Sequence, residues 1–144
     1  MAIQRMDHVG IVVEDLKAAV AFFVELGMEL EGETTVEGKA TDQLIGLEGV
    51  VSDVAFVKTP DGSGRIELSV FRHPVAEDSA PKAPLNVPGI PRITFVVDDL
   101  KETLERMRAI GTEFVGETAQ FGSYCLYCNV RGPEGVIIGL VEEL

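Results

Sequence analysis

The sequence predicts an α+β fold of two tandem βαβββ modules that form curved mixed sheets with helices outside. Three observations predict it: a long internal repeat, the same order of apolar patterns in both copies, and a proline-rich stretch between them. A chain of 144 residues fits one compact domain. We therefore expect a single domain, 1–144, with modules at about 5–72 and 89–144 and a linker at about 73–88.

The repeat is visible when the sequence is aligned with itself at a shift of 84 positions. The segment DHVGIVVEDLK then falls on PRITFVVDDLK, and further matches continue without a gap as far as Thr34 and Thr118. Sustained self-similarity at one shift indicates duplicated supersecondary units. The second half of the unit repeats at a shorter shift, where TPDGSGRIEL falls on GPEGVIIGL. The first copy therefore carries an insertion within residues 36–51, a change that loops tolerate well.

Each copy begins with an apolar run, HVGIVV or RITFVV, that predicts a strand. An aspartate follows at a helix N-cap position, Asp15 or Asp99, ahead of apolar residues at helical spacing. Gly27 and Gly111 mark the ends of these helices. Three further strand-like segments follow in each copy, and the turns TPDGSG and RGPEG join the last two.

Composition narrows the class of partner and the location. A net charge of −12 argues against a nucleic-acid partner, because a polyphosphate would be repelled. No apolar run approaches the roughly 20 residues of a membrane span, and MAIQRMDHVG lacks the apolar region of a secretory signal. We expect no membrane partner and a cytoplasmic location.

The two cysteines, Cys125 and Cys128, stand in the string YCLYCNV. A CxxC pair can bind zinc or act in redox chemistry when a turn or helix start brings the sulfurs together. Here the neighbours favour a strand, on which positions three apart point to opposite faces. The pattern favours a plain strand over a metal or redox site.

The doubled βαβββ order, the strand HVGIVVEDL leading into a helix, and the PDG turn before RIEL resemble the vicinal-oxygen-chelate superfamily. This is the family of glyoxalases, bleomycin resistance proteins and extradiol dioxygenases, and the resemblance covers essentially the whole chain. It implies a cup that holds a divalent metal, with ligands from the first and last strands of each module. The four equivalent positions are His8, Glu67, Arg92 and Gly139, so only His8 and Glu67 keep ligand side chains.

Two ligands fall short of the three protein ligands usual in catalytic zinc and iron sites. The resemblance therefore implies either no required cofactor or a weakly held divalent metal (Zn, Ni, Mn or Fe) on His8 and Glu67. His73 is a poor third ligand, because six strand residues separate it from Glu67 by roughly 20 Å. It is expected to be a surface histidine.

Arg92 suggests a different use of the cup. Its guanidinium would place a permanent positive charge where the family places a cation, and would bind a carboxylate or enolate-like oxygen in a fork. His8 would then act as an acid or base near neutral pH, with Glu67 as the second candidate catalytic residue. The alternative is an Arg92–Glu67 salt bridge that only holds the modules together.

Strand alternation predicts further residues that face the cup. Candidate ligand contacts besides Arg92 are Thr94, Ser69, Tyr124 and Tyr127, and Gly10 and Phe71 share the parity of the ligand positions. Tyr124 and Tyr127 have opposite parity, so at most one should face a ligand on a regular strand.

Two functions stay open from the sequence. The first is a bleomycin-resistance-type protein that binds a small, anionic organic molecule in a cup with an incomplete metal site. The second is a divalent-metal-dependent lyase or isomerase of the glyoxalase or epimerase kind, with an extradiol dioxygenase less favoured because no second histidine occupies a ligand position. The resemblance also implies a homodimer.

Overall fold

A computed structural model describes residues 4–76, 84–90 and 92–144 of the chain. The polypeptide divides into two compact units, Met1–Ser79 and Ala80–Leu144, which correspond to the two predicted modules. That the two modules form one domain stays a prediction. The linker predicted at about 73–88 lies partly outside the described residues, and its described part after His73 contains neither a helix nor a strand.

The first module contains four strands and two helices. In chain order they are β1 (Val9–Val12), α1 (Leu16–Glu25), β2 (Glu29–Glu37), α2 (Lys39–Ile45), β3 (Val51–Lys58) and β4 (Arg65–His73). The sheet has the order β1-β4-β3-β2, in which β1 pairs parallel with β4 and the other pairs are antiparallel.

The second module repeats this order without the extra helix. Its elements are β5 (Arg92–Val96), α3 (Leu100–Ala109), β6 (Phe114–Phe121), β7 (Cys125–Arg131), a 3-10 turn (Pro133–Gly135) and β8 (Ile137–Glu143). The sheet order, β5-β8-β7-β6, again places the first strand parallel to the last. The predicted fold class is confirmed: two four-stranded mixed sheets in two βαβββ modules.

The main helix of each module forms for the same local reasons. The Asp15 carboxylate accepts a hydrogen bond from the Ala18 N–H at 3.0 Å, and Asp99 accepts one from the Glu102 N–H at 2.9 Å. Each helix is followed by a glycine at positive φ, Gly27 (108°) or Gly111 (81°), which ends it at little steric cost.

The insertion in the first module contains α2, which sequence periodicity did not predict. None of its residues is buried, and Leu44 is 85% exposed, so it lacks the apolar stripe that identifies a packed helix. The Asp42 carboxylate holds the end of the insertion by accepting the Gly49 and Val50 N–H groups, each at 2.9 Å.

One face of each sheet packs against the main helix of its module. Phe23 of α1 and Met107 of α3 are fully buried, as are Leu68 on β4 and Ile138 on β8. Because side chains alternate along a strand, the neighbouring residues lie on the opposite face of the sheet. We call this opposite side the helix-distal face of each module; it carries the candidate residues other than Tyr124.

Candidate functional site

His8 and Glu67 lie on the helix-distal face of the first module. His8 immediately precedes β1, and Glu67 on β4 pairs with Gly10 of β1 in the parallel register. His8 Nε2 is 3.5 Å from Glu67 Oε2, and each side chain is about one-third exposed (33% and 31%). The register of β1 and β4 thus brings two residues 59 positions apart into side-chain contact.

Asp7 fixes the other nitrogen of the His8 ring. Its Oδ2 is 2.7 Å from His8 Nδ1, and the ring also meets the edge of Phe56, with ring centroids 5.4 Å apart. When a carboxylate holds the Nδ1 proton of a neutral histidine, the Nε2 lone pair is left available as a base or a metal ligand. Asp7 therefore directs the basic nitrogen of His8 toward Glu67.

Arg65 connects this pair to the rest of the sheet. Its guanidinium binds Glu31 in a fork, with N–O distances of 3.2 and 2.8 Å, and also donates to Asp7 Oδ2 at 3.2 Å. The hydrogen bond from His8, together with Arg5 and Arg65, lowers the pKa of Asp7 below its ordinary value. The Arg65 guanidinium likewise lowers the pKa of Glu31. These carboxylates stay ionised, and His8 is surrounded by fixed charges.

The donor set of the first module does not complete a catalytic metal site. The His8–Glu67 separation is compatible with both groups binding one ion, since each metal–ligand bond is about 2 Å long. However, no group of three or more His, Cys, Asp or Glu side chains in the described part of the chain is arranged to hold a metal. The residues present supply half of a site, which does not fit a firmly held catalytic metal.

The equivalent face of the second module carries a different chemistry. Thr94 Oγ1 and the Tyr127 hydroxyl are hydrogen-bonded at 2.8 Å, and the Arg92 guanidinium lies over the Tyr127 ring, 5.3 Å from its centroid. Among residues 84–90 and 92–144, Arg92 takes part in no salt bridge. A guanidinium, two hydroxyls and an aromatic ring stand where the first module has a histidine and a glutamate.

Gly139 makes this arrangement possible. It pairs with Thr94 on β5 and lies directly beneath the two hydroxyls. A Cβ atom at position 139 would be 2.6 Å from Thr94 Oγ1, 2.7 Å from the Tyr127 hydroxyl and 3.2 Å from Arg92 Cδ. The space of the fourth ligand side chain is therefore already occupied, and a carboxylate at position 139 would displace Thr94 and Tyr127.

The remaining candidates lie at different depths. Ser69, on the same face of β4 as Glu67, is buried (6% exposed). Of the two tyrosines, Tyr127 lies on β7 within the helix-distal face, whereas Tyr124 precedes the strand and is 79% exposed. His73 lies at the end of β4, is exposed, and has Nδ1 2.9 Å from the Gly49 carbonyl oxygen.

Both cysteines are free and lie on β7, as the plain-strand interpretation expects. Cys128 is buried, and Cys125 is half-buried. Because the strand is regular here, their side chains point to opposite faces of the sheet.

The sequence reasoning missed three residues of these two faces. Two of them had a signal in the sequence: Asp7 is the acidic neighbour of His8, and Arg65 shares strand parity with Glu67. Asn129 on β7 had no local signal, and its importance depends on the pairing of β7 with β8. Its Oδ1 is buried and has no hydrogen-bond partner among the residues that the structure describes.

Comparison with known proteins identifies the family. The model of the Glyoxalase/Bleomycin resistance protein/Dioxygenase superfamily matches residues 7–127. The chain belongs to this superfamily. A solved glyoxalase family protein from Bacillus cereus is 43% identical over 100% of this chain and 99% of its own, with a TM-score of 0.95. The resemblance inferred from the sequence is confirmed.

Two solved structures with lower sequence identity share the fold. A fosfomycin resistance protein from Listeria monocytogenes, solved with Mn(II) and sulfate, is 17% identical, with a TM-score of 0.64 and coverage of 99% of this chain and 94% of that one. The trypanothione-dependent glyoxalase I of Leishmania major is 21% identical, with a TM-score of 0.67 and coverage of 98% and 88%. No protein of curated function matches the chain at a significant level. In the described part of the chain, no helix has the length and apolar character to cross a membrane.

Proposed function

We propose that this superfamily member binds a small anionic organic molecule through Arg92, Thr94 and Tyr127. One observation carries the proposal: among the described residues of its module Arg92 has no acidic partner, and it lies over the ring of Tyr127, whose hydroxyl is paired with that of Thr94. By contrast, Arg65 and Arg72 of the first module are both paired with carboxylates. Arg92 is exposed and has no carboxylate partner, so its N–H donors are accessible to a ligand.

The geometry suits a carboxylate, phosphonate or enolate oxygen. The guanidinium offers two parallel N–H donors to a planar anion, and its stacking on Tyr127 limits the orientations it adopts. In the Thr94–Tyr127 pair one hydroxyl donates to the other, so one O–H remains free to donate outward. An anion on Arg92 would thus gain a third, neutral hydrogen bond.

A metal-dependent lyase or isomerase is the second candidate, and the Asp7–His8–Glu67 arrangement favours it. A carboxylate behind a histidine is a common support for a metal-bound imidazole. A divalent metal, if bound, would polarise a substrate oxygen. Without a metal, His8 would exchange a proton at Nε2 with a bound molecule, and Asp7 would stabilise the charged ring.

A titration of inorganic phosphate and propanoate, followed by NMR chemical shifts, tests anion binding. Arg92→Met should weaken both by tenfold or more, since hydrogen bonds to a charged group contribute about 1.5–3 kcal/mol. Arg106→Met, which removes the same charge from an exposed position on α3, is the matched control and should leave affinity unchanged. Equal effects of the two variants would refute specific binding at Arg92.

A metal assay on tag-free protein decides between the candidates. Stoichiometric Zn, Ni, Mn or Fe that is lost in His8→Ala would favour the lyase or isomerase. Retention of anion binding in His8→Ala, without bound metal, is the result we expect. The proposal also includes a homodimer in the cytoplasm, which the sedimentation of the purified protein and its location in cell fractions would check.

A further inference from the structure

Asn129, on the helix-distal face of the second module, has a side-chain oxygen without a hydrogen-bond partner among the described residues. It lies on β7 directly across from Gly139 of β8, and Tyr127 is two residues before it on the same face. The side chain is half-buried as a whole, but its Oδ1 is shielded from solvent and accepts no hydrogen bond from the described residues.

An acceptor in this state destabilises the folded protein, because it has lost its water without gaining a donor. Almost all buried polar groups in proteins are paired, so an exception needs a reason. Leucine has nearly the same shape and would fill the position without this penalty. The presence of an amide here therefore points to a partner that arrives from outside the chain.

The neighbours of Asn129 indicate what that partner is. Two residues along a strand are about 6.6 Å apart, so Asn129 and Tyr127 are adjacent on the face. The Arg92 guanidinium is 5.3 Å from the Tyr127 ring centroid. Across the sheet, Thr94, Gly139 and Asn129 lie side by side, and Arg92 precedes Thr94 by two residues. An anion on Arg92 would therefore lie on the same face as the Asn129 amide. Oδ1 is shielded in the ligand-free chain, so a ligand reaches it only by drawing the amide round about its broad terminal torsion as it binds.

We infer that the ligand of this site is a small anion with a hydrogen-bond donor, an alcohol or an amine, a few bonds from its charged group. Arg92 binds the anion, and Asn129 Oδ1 accepts from the hydroxyl or amino group. This inference rests on the proposed anion site and narrows its ligand to the class of hydroxy or amino acids. Asn129 is then the residue that selects against acids without a donor.

Matched acids test the selectivity by NMR titration of the intact chain. In the wild type, 2-hydroxypropanoate or 3-hydroxypropanoate should bind about tenfold more tightly than propanoate, the effect of one hydrogen bond to an otherwise unpaired buried group. In Asn129→Leu this preference should disappear, while the affinity for propanoate stays within about twofold of the wild type. Asn129→Ala serves the same purpose if leucine does not fit.

Thermal unfolding adds a readout independent of the ligands. Asn129→Leu should raise the Tm of the ligand-free protein, because it removes an unpaired buried acceptor and keeps the volume. A lower Tm together with an unchanged preference for hydroxy acids would show that a bound water or the fold itself satisfies Oδ1, and would overturn the inference.

The outcomes separate this inference from the proposed function. If all three acids bind equally well and Arg92→Met weakens all of them, the anion site stands and the role of Asn129 is refuted. If none of the acids binds, the proposed anion site and the inference that rests on it both fail. A preference for hydroxy acids that persists in both Asn129 variants would assign the donor contact to another residue.

Discussion

Replacing Gly139 by alanine tests the packing of the second module most directly. The new Cβ would lie 2.6 and 2.7 Å from the hydroxyl oxygens of Thr94 and Tyr127, closer than real Cβ contacts come. Overpacking of this kind costs about 1–3 kcal/mol, and opening the hydrogen bond between the two hydroxyls costs about 0.5–1.5 kcal/mol. Alanine has a lower conformational entropy than glycine in the unfolded chain, which offsets about 0.4–1 kcal/mol of this loss. The net expected loss in the free energy of unfolding is about 2 kcal/mol.

Urea unfolding shows whether the contact with the two hydroxyls causes the loss. The variants are Gly139→Ala, Thr94→Ala/Tyr127→Phe, the combination of the two, and Gly10→Ala. In a Thr94→Ala/Tyr127→Phe background both hydroxyls are gone, and of the three atoms nearest to the added Cβ only Cδ of the flexible Arg92 side chain, at 3.2 Å, remains. Gly139→Ala should then cost less than about 1 kcal/mol. Gly10→Ala is the matched control, because a Cβ on this β1 glycine meets nothing within 4 Å. An equal loss from Gly139→Ala in both backgrounds would refute the packing argument.

Four further changes test other parts of the fold. Phe23→Ala should cost about 3–5 kcal/mol in urea unfolding, because the ring is fully buried under the first sheet; a loss below 1 kcal/mol would contradict this. Asp99→Ala should cost about 0.5–2 kcal/mol through loss of the α3 N-cap. Asp42→Ala should cost about 1–3 kcal/mol and speed amide exchange in the insertion, whose N–H groups it binds. Hydrogen bonds from hydroxyl and backbone groups lower the pKa of Asp61 from 3.8 to about 2, so its stabilising effect is fully present above pH 4 and is lost as the pH falls toward 2; Asp61→Asn should flatten the stability profile there.

The fold was predictable because local signals repeat. Two aspartate N-caps, two glycine helix ends and two strand-turn-strand segments occur in the same order, and each has a local physical cause. Helix α2 was not predictable, because it buries nothing and so has no apolar period. The site of the insertion was nevertheless indicated by the change in repeat shift.

The candidate residues were predictable only in part. The family resemblance identified His8 and Glu67 as equivalents of metal ligands. In the structure, His8 Nε2 lies 3.5 Å from Glu67 Oε2. Their role stays a prediction. The contact between Thr94 and Tyr127 depends on strands that are not adjacent in the sheet, since β8 lies between β5 and β7. A single sequence carries no signal for the register of such strands. The hydrogen bond between the two hydroxyls is therefore evident only from the structure.

The parallel pairing of the first and last strands has a consequence for how each module is made. Val9 is paired with Ile66 in the register of β1 and β4. Strand β1 therefore has no partner in its sheet until the ribosome has synthesised nearly the whole module. The antiparallel pairs β2–β3 and β3–β4 involve shorter separations and can form earlier. The nascent first strand, with the histidine that precedes it, is therefore the last part of its sheet to dock. Until then its apolar edge is exposed to other chains.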